Sequence, residues 1–203
     1  MVTLGTGVGG GFVVNGRPWH GMTGMAGEIG HMTVIPEGFP CPCGNRGCLE
    51  QYASGTAITR MARESIAQGQ APALAAAAAE QNSHFGARTV FDTAQRGDAA
   101  AASIFETAGT ALGIALGNLI NVLNLPLYVV GGGVAQAWPA LRPAVLAELS
   151  KRSIVFRASE PLKSRNQATL IASTELGENA GLLGAARLPM LSEDPLAYCS
   201  LAG

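Results

Sequence analysis

The residues best suited to chemistry gather in one short stretch. Gly27-Glu28-Ile29-Gly30-His31 is followed by Cys41-Pro42-Cys43-Gly44-Asn45-Arg46-Gly47-Cys48-Leu49-Glu50. Three cysteines fall within eight residues at C-x-C-x4-C spacing, and a histidine stands ten positions before the first. Glycine and proline fill the gaps, so the backbone can bend three thiolates toward one point. Soft sulfur and imidazole donors suit zinc, and Cys3His is one of its closed four-coordinate sets. A closed set has no position for a reacting water, which makes the implied metal structural rather than catalytic. Two other readings stay open at this stage. One is a disulfide, which C-x-C spacing and the lack of a secretory segment disfavour; the other is an ordinary loop with buried thiols. Glu28 and His31 stand at i and i+3, so one helical turn would set them on a common face. On their own, Glu28 reads as an exposed acid and Glu50 as a capping residue.

A second group is rich in glycine. Gly5-Thr6-Gly7-Val8-Gly9-Gly10-Gly11 formally contains G-x-G-x-x-G. A dinucleotide-binding fold needs a helix directly after that pattern. Here Phe12-Val13-Val14 and then Asn15-Gly16 follow, which predicts a glycine-rich β-hairpin instead. Such a turn can bring backbone N–H groups and a threonine hydroxyl close to an anion, or it can simply accommodate positive φ. Gly131-Gly132-Gly133 lies between an apolar run and a helical pattern, an arrangement common at nucleotide sites and in any α/β crossover.

The elements that must position these groups are legible in outline. At 203 residues, with 48% hydrophobic and 13% charged side chains, the chain has ample core material. Net charge is −1 with no basic stripe, which argues against a nucleic-acid surface. Residues 107–141 carry no charge, but their asparagines, Pro126 and three glycines make a membrane span a poor reading. With no cationic leader, the expectation is a soluble cytoplasmic protein that does not touch membrane. Helices are predicted over residues 56–68, capped by Ser54 or Thr56, over 71–80 and just before Gly97-Asp98. A long helix over residues 99–123 buries positions 104, 108, 112, 115, 116, 119 and 123, with Gly109, Gly113 and Gly117 as a packing stripe. A buried strand over 125–130 leads to a helix ending near Lys151 and interrupted by Pro139. A strand over 168–173 and a closing helix over 179–187 complete the pattern. Cys199 reads as a free thiol without a role, and His84 as an exposed histidine.

G-E-I-G-H followed by C-P-C-G-N-R-G-C-L-E resembles the signature of the ROK family, which contains bacterial sugar kinases and sugar-responsive repressors. The resemblance extends through Gly5-Thr6-Gly7 and the glycines near 131, and it implies an α/β lobe of the actin-like ATPase (ribonuclease H-like) class with a zinc-binding loop over residues 31–48. It implies that Gly5, Thr6 and Gly7 form a phosphate loop and that Gly131, Gly132 and Gly133 contact adenosine. His31, Cys41, Cys43 and Cys48 would hold zinc, while Glu28, His31 and Glu50 would contact sugar hydroxyls. The implied reaction is phosphorylation of a hexose by ATP with magnesium. Glucose is the first choice, with N-acetylmannosamine, N-acetylglucosamine, mannose and fructose behind it. Family members are commonly dimers or tetramers, so a homo-oligomer is expected.

No D-x-G-G-T loop occurs in the sequence, and Asp92, Asp98 and Asp194 all follow the cysteine loop. The family's base aspartate precedes Gly-Thr-Gly, so it is expected upstream of Met1, and no catalytic residue is assigned here. Residues 1–188 are expected to be the C-terminal lobe and 189–203 an irregular tail. A sugar-binding repressor and an inactive remnant are the alternatives.

Overall fold

The structure, a computed structural model, describes residues 1–160 and 168–191. Its N-terminal glycines fold as two antiparallel pairs. β1 (Val2–Leu4) turns through Gly5-Thr6-Gly7 into β2 (Val8–Gly10). β3 (Phe12–Val14) pairs with β4 (Arg17–Trp19) across Asn15 and Gly16, whose φ values of 52° and 77° are those a two-residue I′ turn requires.

Between β4 and the later strands come α1 (Glu50–Ala53), α2 (Gly55–Ala67), α3 (Pro72–Gln81), α4 (Ala87–Gln95) and α5 (Ala99–Leu123). β5 (Leu127–Gly131) follows, then α6 (Trp138–Arg152), α7 (Ile154–Ser159), β6 (Leu170–Ser173) and α8 (Ala180–Leu191). The main sheet has the order β2-β1-β5-β6. β5 runs parallel to both β1 and β6, with Val2 opposite Val130 and Tyr128 opposite Ile171. Parallel neighbours require long crossovers, and the helices supply them. β1, β2 and β5 carry no charged side chain.

α5 is the axis of the helical layer and packs against α1, α2, α4, α6 and α7. It starts where Asp98 Oδ1 accepts the Ala101 N–H at 2.8 Å, and it ends at Asn124 in the left-handed region. Ile104, Ala108, Leu112, Ala115 and Leu116 are buried as the period requires. Phe105, Ala111 and Ile120 are buried too, while Leu123 reaches the surface, because neighbours surround the middle of the helix and not its end. By length and composition α5 could cross a membrane, but 56% of its most apolar window is buried inside the protein. The glycine stripe is a packing feature: α6 passes so close that a Cβ on Gly113 would lie 2.7 Å from Glu148 Cβ and 3.0 Å from Val145 O.

Several expectations need correction. Pro139 does not interrupt α6 but occupies its first turn, where a missing N–H costs nothing; Pro143 is the proline inside the helix. α7 was not anticipated. It begins where Ser153 Oγ accepts the Phe156 N–H at 3.0 Å. α8 continues past residue 187 to Leu191. Asp98 serves as a cap, and Asp92 pairs with Arg88 at 3.0 Å. Asp194 and Cys199 lie outside the described residues.

Substitution at the α5–α6 contact should be costly. Gly113→Val is expected to destabilise by about 2 kcal/mol through overpacking, lowering Tm by roughly 4–8 °C. Gly184→Ala, where a Cβ on α8 meets open space, should leave Tm unchanged or slightly raised, as read by differential scanning calorimetry.

Candidate functional site

The cysteine segment forms a β-like hairpin, with Thr33 bridged to Cys48 and Pro40 to Arg46. That pairing sets His31 and Cys48 at one end and brings Cys41 back to meet them. Gly47 makes the return possible: its φ is +73°, and its α-carbon passes so near Ile35 O that no side chain fits. The ligand atoms of His31, Cys41, Cys43 and Cys48 all lie within 4.8 Å of one another. His31 Nδ1 is 3.7 Å from Cys41 Sγ, and Cys43 Sγ is 3.7 Å from Cys48 Sγ. Sulfurs about 2.3 Å from a central ion stand about 3.8 Å apart at the corners of a tetrahedron, so the cluster fits zinc. The three thiols are free, and their separation is far beyond a sulfur–sulfur bond, which removes the disulfide reading.

Amide donors surround the sulfurs. Asn45 Nδ2 donates to Thr33 Oγ1 at 2.8 Å and to Cys48 Sγ at 3.5 Å, and Gln51 Nε2 donates to Cys41 Sγ at 3.7 Å. Such contacts orient ligands and offset thiolate charge. Burial, reinforced by the neighbouring sulfurs, pushes the Cys48 thiol up to about 12. The backbone N–H of Asn45, with help from the Cys41 side chain, moves Cys43 the other way. A buried thiol of this kind releases its proton readily only when a metal cation takes the sulfur in its place.

The imidazole is held on its Nδ1 side, and its Nε2 faces Glu28 Oε2 at 3.8 Å, with both side chains partly open to solvent. Glu28 precedes the short 3-10 turn at Ile29–His31, so the two groups do share a face. Ile29 and Gly30 are buried against β2, which fixes that turn beside the Gly-Thr-Gly loop.

Glu50 opens α1, two residues after Cys48. Its Oε2 accepts the Val8 N–H at 2.9 Å and lies where a Cβ on Gly7 would be. The cysteine hairpin and the β1–β2 turn therefore meet at this carboxylate. α2 grips the same turn from the other side. Gly55 N–H donates to Gly5 O at 2.7 Å, and the Thr56 hydroxyl donates to Thr6 O at 2.8 Å. Ser54 caps α2 by accepting the Ala57 N–H at 3.0 Å.

A cleft of about 1050 Å³ opens beside this junction. Gly5, Thr6 and Gly133 line it, together with Thr56, Thr59 and Val134. Gly7, Gly131 and Gly132 are not among its walls. Gly7 turns toward Glu50, and Gly131 ends β5 against Met1. Gly132, with φ +88°, lets the chain pass directly over Leu4. Sequence reasoning missed Arg60, Arg63, Arg88, Phe91 and Gln136, which also line the cleft. A partial signal existed for Arg60, which follows Thr56 by four residues on one helical face.

With this geometry in view, the likenesses to known proteins become specific. A ROK family model matches residues 1–190. A glucokinase of Halalkalibacterium halodurans is 40% identical over 97% of this chain and 57% of its own. The structure of a ROK family glucokinase from Streptomyces griseus, in complex with glucose and AMPPNP, superposes with a TM-score of 0.76 at 30% identity, over 92% of this chain and 58% of that one. A ROK family transcriptional regulator, a homologue of the E. coli MLC protein, gives a TM-score of 0.77 at 26% identity, over 98% of this chain and 47% of that one. This chain thus spans about half the length of the proteins it matches. The α/β lobe has the actin-like ATPase fold of the ROK sugar kinases, with a cysteine cluster at its zinc loop. The chain belongs to the ROK family.

Proposed function

We propose that the protein to which this lobe belongs transfers the γ-phosphoryl group of ATP to a hexose hydroxyl, with glucose the favoured sugar. The observation that carries this reading is Glu50, a carboxylate bonded to the N–H of Val8 directly after the Gly-Thr-Gly turn and two residues from a thiol of the Cys3His cluster. A sugar gripped there would lie next to a phosphate held by the turn. Phosphoryl transfer needs little covalent chemistry from the protein, so positioning and charge stabilisation account for most of the rate. Glu50 keeps Oε1 for a sugar hydroxyl while Oε2 holds the Val8 N–H. Glu28 and the outward Nε2 of His31 provide two further contacts. Gly5, Thr6 and Gly7 would receive phosphate, and Gly131, Gly132 and Gly133 would form the backbone at the adenosine end. Magnesium would accompany the phosphates.

Zinc, bound by His31, Cys41, Cys43 and Cys48, would supply no reacting group; it would fix the hairpin that aims His31 and Glu50. The base aspartate is assigned to no residue of this lobe. A cytoplasmic homo-oligomer that binds neither nucleic acid nor membrane through this lobe agrees with its composition and with the family. A second reading, a sugar-binding regulator, is favoured by the equally close fold of the transcriptional regulator. Turnover of ATP and glucose in a coupled assay separates the two, because a regulator or an inactive remnant would bind sugar without forming ADP.

Cys43→Ser should lower zinc content and glucose affinity together, measured by elemental analysis and calorimetric titration on one preparation. Full metal content in that variant would count against the cage. Zinc uptake by the stripped chain should release protons and weaken as pH falls, since protons compete for the thiolates. Glu50→Gln in a protein with both lobes should raise KM for glucose about tenfold or more, the cost of one charged hydrogen bond. KM for ATP should stay within about twofold, because the affected bond points at the sugar.

A further inference from the structure

One side chain between the metal hairpin and the cleft makes contacts that belong to both. Arg60 lines the cleft from α2. Its guanidinium lies over the Phe39 ring, with Cζ 3.4 Å from the centroid. Nη2 donates to Gln51 O at 2.8 Å, and Nη1 donates to the Glu64 carboxylate at 2.9 and 3.1 Å. Phe39 and Gln51 are both close to the cage. Phe39 stands two residues before Cys41 and donates its N–H to Tyr52 Oη at 2.8 Å, while the Gln51 amide donates to Cys41 Sγ at 3.7 Å. Two short routes therefore run from a metal-ligating sulfur to a cleft-lining guanidinium.

We infer that Arg60 is a positioning residue that couples metal occupancy of the cage to nucleotide affinity in the cleft. The inference rests on the nucleotide reading proposed above. A guanidinium stacks and donates in a fixed planar fork, so it registers small displacements of the groups that hold it. With metal bound, the hairpin presents the Phe39 ring, Cys41 Sγ holds the Gln51 amide and with it the Gln51 carbonyl of α1, and the cleft wall is set. With the cage stripped, four side chains lose their common centre, and the guanidinium keeps only its partner on its own helix, Glu64. Coupling between two binding sites is reciprocal, so nucleotide should also tighten the hold on metal by the same factor.

The test is calorimetric titration of this chain with AMPPNP and magnesium, zinc-loaded and chelator-stripped, in wild type, Arg60→Met and Phe39→Leu. Wild type should lose at least about fivefold in affinity on stripping, the lower end of ordinary coupling. Both variants should bind the analogue equally with and without zinc, and each should retain its zinc when loaded. A purely structural Arg60 would weaken binding in both metal states and leave their ratio alone; an unchanged ratio in both variants overturns the inference. So does metal-independent binding by wild type, or loss of its circular dichroism on stripping, since affinity would then report unfolding. Failure of wild type to bind the analogue in either state refutes the nucleotide reading of the cleft and this inference with it.

Discussion

Three hydrogen bonds between the β1–β2 turn and the start of the helical region hold the site together. Val8 N–H reaches Glu50, Gly55 N–H reaches Gly5 O, and the Thr56 hydroxyl reaches Thr6 O. They join the edge of the sheet, the end of the cysteine hairpin and the first turn of α2 at one point. The turn by itself has few side chains with which to hold a shape. Its geometry is therefore borrowed from α1 and α2, which are anchored by Tyr52, Ile58 and Ala62 in the core beneath.

The cysteine hairpin illustrates a different solution to the same difficulty. Residues 36–46 include a string of exposed positions and contribute little to the hydrophobic core. Few apolar contacts are available to offset the entropy of ordering such a loop. A cation held by the Cys3His cluster would concentrate the ordering in four side chains, and the amides of Asn45 and Gln51 steady two of the sulfurs. The histidine is thereby presented with one nitrogen engaged and the other facing Glu28.

Much of this was legible in the sequence because its signals are local. The Asn15-Gly16 turn, the apolar period of α5, the Ser54 cap and the cysteine spacing each reside within a few residues, and the structure bears out each of them. What escaped depends on partners far apart along the chain. Val8 and Glu50 are separated by 42 residues, and neither residue type announces the other. Arg88 and Gln136 are 48 apart and meet only because α4 lies beside the segment after β5. α7 escaped for another reason: at six residues it is too short for a period to emerge, and its Ser153 cap is the one local cue. The three consecutive glycines at 131–133 look equivalent on paper, yet one ends a strand, one permits a tight backbone crossing and one faces the cleft.

The crowding of Gly7 against Glu50 has a bearing on redesign. Any side chain at position 7 must displace the end of the Glu50 carboxylate, the group that accepts the Val8 N–H. The two positions form a single unit of variation despite lying in different elements. A library that diversifies position 7 therefore re-aims the carboxylate as well, and varying positions 7 and 50 together samples the turn and its acceptor as a pair.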